Sequence, residues 1–220
     1  MFDSHLFDNS AKKLLTALSI AAVLATVGCD ASINKSIRVD DGESVSGSLT
    51  SVNGSITVGS QAKVKGNAQT VNGSIRVGDG TAIGDVSTVN GSIRVNDQVQ
   101  VSGSLESVNG AIETGAGTSV GGDVQTINGQ VRLKGTAVDG GIETHNGSII
   151  LSEGSRVSRS VRIKGEQKLG STSTIEVQLT GGSVIEGDLI VDDEDQKVRV
   201  TVDATSEVKG EIRGAELSRI

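Results

Sequence analysis

Gly84-Asp85-Val86-Ser87-Thr88-Val89-Asn90-Gly91-Ser92-Ile93-Arg94-Val95 decides the fold, because it recurs along the chain with few changes. The copy before it is Gly66-Asn67-Ala68-Gln69-Thr70-Val71-Asn72-Gly73-Ser74-Ile75-Arg76-Val77. Asn-Gly pairs begin at Asn53, Asn72, Asn90, Asn109, Asn128 and Asn146, at spacings of 19, 18, 19, 19 and 18 residues. A degenerate copy, Ile33-Asn34-Lys35-Ser36-Ile37, precedes the first by 19. Repetition at this period is the signature of a solenoid.

Alignment on the Asn assigns each position a residue type. Six residues earlier stands a glycine every time: Gly47, Gly66, Gly84, Gly103, Gly122 and Gly140. Four earlier is an aliphatic residue, two earlier a Ser or Thr, and one earlier a Val or Ile except at His145. Three and five after the Asn come further mostly aliphatic residues, as in Ile75-Arg76-Val77. That alternation has the period of a strand with one buried face. A path of 18 or 19 residues at about 3.3 Å each has the length of one turn of a three-sided solenoid.

The sequence therefore predicts an all-β, single-stranded, parallel β-helix. The drift between 18 and 19, rather than a strict multiple of six, points to a right-handed coil. The six Asn side chains are expected to form a structural ladder of stacked amides, and Gly54 with its equivalents to supply positive φ at a corner. An Asn-Gly pair is also a hairpin signal. Here, however, both sides of each pair carry the same unit in the same direction, which argues against a meander.

Composition agrees with narrow, stacked layers. Of 220 residues, 30 are Gly and none is Pro, Trp or Tyr; both Phe residues, Phe2 and Phe7, precede the repeat. Aliphatic side chains that match from layer to layer suit such an interior better than large rings. The lack of stacking platforms and a net charge of -7 weigh against nucleic acid as a partner. No cofactor and no small-molecule substrate are inferred.

Residues 1 to 28 read as a leader. Lys12 and Lys13 precede an apolar run from Leu14 to Val27, which is short for a membrane span of about 20 residues and fits a secretory signal peptide. Thr26-Val27-Gly28-Cys29 resembles a bacterial lipoprotein box, although Thr26 stands where Leu is common. The resemblance implies lipidation of Cys29, the sole cysteine, and attachment to a membrane. Cleavage after Ala25, leaving Cys29 as a free thiol, is the other reading. The remaining organisation is a short tether at 29 to 32, regular coils at 33 to 155, and irregular coils with a cap at 156 to 220.

The sequence offers little catalytic chemistry. His145 is the only histidine after the leader and reads as a variant corner residue. Asp192-Asp193-Glu194-Asp195 lacks the spacing of a calcium loop and reads as a solvated connection. Arg76, Arg94 and Arg132 share one offset but are interrupted by Thr57, Glu113 and Ile150. The Ser/Thr row invites comparison with ice-binding solenoids, which present wider threonine arrays. No metal or catalytic residue is assigned, and a non-enzyme is expected.

The Val-Asn-Gly-Ser-Ile corner followed by Gly-x-aliphatic segments, as in Gly84-Asp85-Val86 and Gly103-Ser104-Leu105, resembles repetitive bacterial proteins with adhesin-like or polymer-forming domains. It is also similar to the bactofilins, cytoskeletal β-helices that have no signal peptide. The resemblance implies a lipid-anchored protein of the bacterial cell envelope, in the periplasm or at the cell surface, with a structural or adhesin-like rod. The alternative is a bactofilin-like polymer-forming scaffold that associates with itself or with other proteins.

Overall fold

The computed structural model describes residues 31 to 32, 34 to 165 and 174 to 220. Cys29 and the leader lie outside the described residues. Every described element is a strand or turn, and the strands form three parallel sheets of ten, ten and nine strands. Successive strands visit the three sheets in rotation, so the chain is a three-sided β-solenoid. A representative coil runs Val86–Asn90 in the first sheet, Ile93–Val95 in the second and Gln100–Val101 in the third. Nine strand spacings give a rod about 45 Å long. The first described strand, Ala31–Ser32, pairs with Thr50 and Ser51, so these two residues of the expected tether belong to the solenoid.

Register explains why the period wavers. Lys63 aligns with Ala82, but Ala68 aligns with Val86, so one residue is missing at the Gly84-Asp85 turn. Likewise Thr114 aligns with Leu133 but Ser119 with Ala137, which puts the second deletion at Gly135. Strand registers are untouched because a one-residue slip inside a strand would turn its apolar side chains outward.

The core is a set of aliphatic columns. Ile56, Ile75, Ile93 and Ile112 stack in register and are all fully buried, as are Val131 and Ile149 beyond them. Each such side chain contributes roughly 1.5–3 kcal/mol of burial. A lone coil has no neighbouring layer to exclude water from either side, so the gain depends on stacking.

One expectation about glycine is overturned. Gly54, Gly73, Gly91, Gly110, Gly129 and Gly147 do not have positive φ. They are glycine because the coils touch there: a Cβ on Gly110 would lie closer than 3.0 Å to the backbone of Gly91, and one on Gly91 equally close to Gly73. Most left-handed residues sit at another corner, between the second and third sheets: Gly42, Gln61, Gly80, Gln98, Gly117, Gly135, the Glu153-Gly154 pair and, in the later coils, Gly181 and Gly182. At the Asn corner itself positive φ falls only on Asn34, Gly165 and Gly214 among the described residues, outside the six Asn-Gly copies.

The later coils keep the three sheets but lengthen. Ile149 aligns with Val177, 28 residues on, and Val177 with Val200, 23 on. Extra residues enter at the Asn corner, where Lys164 to Thr174 and then Asp192 to Lys197 replace the Asn-Gly turn. The acidic run is therefore a turn between Leu189–Val191 and Val198–Val202.

Candidate functional site

The feature that repeats most closely on the surface is the corner between the first and second sheets. Strands of the first sheet alternate: Ala68 and Thr70 are buried inside, while Gln69 and Val71 face out. The chain then reaches Asn72, whose exposed amide leaves the strand end. Asn53 Nδ2 donates to Asn34 Oδ1 at 2.6 Å, and Asn72 to Asn53 at 2.8 Å. The chain of amides continues through Asn90, Asn109 and Asn128 to Asn146, with rungs of 2.9 to 3.1 Å. Seven side chains thus form six rungs, each amide donating to the coil before it. Asn34, outside the Asn-Gly set, is the first member.

Behind the amides lies a second column that the sequence leaves without a direction. Ser51, Thr70, Thr88, Ser107 and Thr126 point inward and are buried. Each hydroxyl donates to a carbonyl at the preceding corner: Thr70 to Gly54 O at 2.8 Å and Thr88 to Gly73 O at 2.9 Å are the shortest. These bonds satisfy the glycine carbonyls that close stacking removes from water. An inward hydroxyl row presents no surface to ice.

A third column occupies the corner that leads from the third sheet into the first. Ser48, Asn67, Asp85, Ser104 and Asp123 each accept, through a side-chain oxygen, the backbone N–H of their counterpart one coil on. These residues follow the repeated glycines Gly47, Gly66, Gly84, Gly103 and Gly122. The sequence signal was the small polar residue after each glycine, but its bond spans coils and is invisible in any local window.

The residues before each Asn, Val52, Val71, Val89, Val108 and Ile127, lie on the outer side of the first sheet and outside the core cluster, half-buried except for the buried Val89. His145 ends that row, half-buried, with its backbone N–H donating to Thr126 O at 3.3 Å. The arginine offset falls on the outer face of the second sheet, where Arg94 is bound by Glu113 at 2.7 Å. No continuous anion-binding stripe results, because Arg94 is neutralised and Thr57, Glu113 and Ile150 break the row.

A depression of about 320 Å3 opens on the outer face of the first sheet beside Gly141, where the small polar column lacks a side chain. Asp123, Glu143, Arg159 and Arg162 line it; His145 does not. Lys164 holds Glu143 at 2.9 Å, and Asp123 Oδ1 accepts the Gly141 N–H at 2.8 Å. Both carboxylates are thus committed to structural partners. Among the described residues no group of three or more His, Cys, Asp or Glu side chains could hold a metal ion, and no helix is long and apolar enough to cross a membrane.

Fold and corner together define a parallel β-solenoid whose repeated surface feature is an amide ladder. No family model, no curated protein and no solved structure matches the chain.

Proposed function

We propose that the chain is a non-catalytic, membrane-anchored envelope lipoprotein whose β-helical rod acts as a structural or adhesin-like surface. The observation that carries this reading is the position of the first coil. Its opening strand, Ala31–Ser32, starts two residues after Cys29 and lies at one end of a rod of three unbroken sheets. A lipid on Cys29 would hold the rod by its end, with the long faces of the sheets presented away from the bilayer. The repeat supports the same reading, since side chains go into cross-coil ladders rather than into a converging reactive group. Globomycin, which blocks the signal peptidase of lipoproteins, should cause the precursor to accumulate. Cys29→Ala should move the protein out of the membrane fraction. A Cys29→Ala protein that stays fully membrane-bound would remove the anchor from the proposal.

A second reading, a polymer-forming scaffold, draws on the outward row of Val52, Val71, Val89, Val108 and Ile127, five aliphatic residues in successive coils, of which all but the buried Val89 are half-exposed. Two copies could associate along such a row. Sedimentation of the mature chain at rising concentration decides it: assembly that Val71→Lys abolishes favours the scaffold, and a monomer throughout rejects it.

A further inference from the structure

The corners Asn53-Gly54-Ser55-Ile56, Asn72-Gly73-Ser74-Ile75, Asn90-Gly91-Ser92-Ile93 and Asn146-Gly147-Ser148-Ile149 have identical local sequences. A fifth and a sixth, Asn109-Gly110-Ala111 and Asn128-Gly129-Gln130, differ after the glycine. Asn-Gly is the dipeptide in which backbone nitrogen most readily attacks a side-chain amide, because glycine has no Cβ to obstruct the approach. The glycine nitrogen forms a bond to the Asn Cγ, the Cγ–Nδ2 bond breaks, and ammonia leaves with the proton from the glycine amide. Water then opens the resulting succinimide to aspartate or isoaspartate. The reaction needs no other reagent.

For this attack the glycine N–H must be free to turn toward its own Asn side chain. The fold treats the six corners differently in that respect. Gly73 N–H donates to Asn90 O at 3.1 Å, Gly91 N–H to Asn109 O at 3.2 Å and Gly110 N–H to Asn128 O at 3.1 Å. Each of these nucleophiles is tied to the next coil. Among the described residues the N–H groups of Gly54, Gly129 and Gly147 make no such bond. Among the described residues Asn146 lacks a second restraint as well. It donates to Asn128, but as the last amide of the ladder it has no following Asn to donate to its own Oδ1. The ladder ends there because the next coil replaces the Asn-Gly turn with the longer connection from Lys164 to Thr174.

We infer that Asn53, Asn128 and Asn146 are sites of spontaneous succinimide formation, while Asn72, Asn90 and Asn109 are protected by the coil stacked on them. Conversion at Asn53 replaces an amide donor with a carboxylate facing Asn34 Oδ1, so a rung is lost and oxygen faces oxygen. An isoaspartate also adds a backbone carbon to a corner whose spacing the stack dictates. Damage would thus begin toward the ends of the ladder and spare its centre.

The test is incubation of the full chain at mildly alkaline pH, with peptide mapping of aspartate and isoaspartate at each corner over time. Asn53 and Asn146 should convert about tenfold faster than Asn72 and Asn90, the rate ratio for a barrier difference of about one ordinary hydrogen bond. Asn128 should outpace Asn109. In denaturant the four identical corners should react at one common rate, which shows that the fold and not the local sequence sets the order. Equal rates in the folded chain would overturn the inference, as would a folded chain in which none of the six corners reacts while all do in denaturant.

Discussion

Gly110 and Gly117 belong to the same coil and stand at neighbouring corners. Gly117 has φ of +71°, and a Cβ there would meet only Gln98, at 3.4 Å or more. Gly110 has no positive φ, and a Cβ there would run into the backbone of Gly91. One corner needs glycine for its backbone conformation, the other for the absence of an atom. The difference shows in what each corner tolerates. The left-handed corner accepts Gln61 and Gln98 at the same position, whereas the stacked corner is glycine in all six Asn-Gly copies.

Substitution should separate the two. Gly110→Ala must push two coils apart and is expected to cost about 3 kcal/mol or more, at the upper end of overpacking effects. Gly117→Ala has room and should cost only about 1–2 kcal/mol, the price of an L side chain in the left-handed region. Chemical denaturation followed by far-ultraviolet circular dichroism measures both, since the solenoid has no Trp or Tyr. Equal losses would break the distinction between the corners.

Asn90→Ala removes two rungs from the middle of the amide ladder and is expected to cost about 1–2 kcal/mol, as two ordinary hydrogen bonds would. An unchanged midpoint would mean that the glycine stack alone holds this corner. Gln98→Gly relieves a side chain held at φ of +58° and should stabilise by about 1 kcal/mol. A loss of stability there would show that the Gln side chain contributes more than its backbone conformation costs.

The smallest effect concerns acid. In the later coils the left-handed Gly181 donates its N–H to Asp203 at 2.7 Å. That bond first, with the Ser206 and Thr205 bonds, holds the Asp203 carboxyl well below the usual carboxylate range. A depressed pKa stabilises the fold at pH above the ordinary Asp value of about 3.9. The contribution is lost as the pH falls from there through the lower folded value, because the unfolded chain takes up the proton first. Asp203→Asn should therefore flatten the loss of stability below that value and leave the profile near neutrality parallel to the parent. An identical acid profile would remove Asp203 as a source of pH dependence.

Much of this architecture was legible in residues. The Asn-Gly spacing and the alternation in Ile75-Arg76-Val77 are enough for coils, three faces and an aliphatic interior, since strand periodicity is local. The corner residues were harder to read. Thr70 and Thr88 are polar yet buried, and Val71 is apolar yet outside the core. Alternation alone does not say which phase faces in once the chain has passed a turn.

By itself, then, the sequence determined which residues share a column: the repeat brings Asn onto Asn and Gly onto Gly at each coil. Only the tertiary structure decided what those columns do. It moved positive φ from Gly54 and its equivalents to Gly42, Gly80 and Gly117. It also turned the hydroxyls inward and tied some glycine amides to the next coil while leaving others unbonded. The physical reason is that the deciding contacts join residues 18 or 19 apart, as in the Asn72 and Asn90 rungs. Those contacts depend on how closely one coil rests on another, a distance that does not exist until the stack has formed.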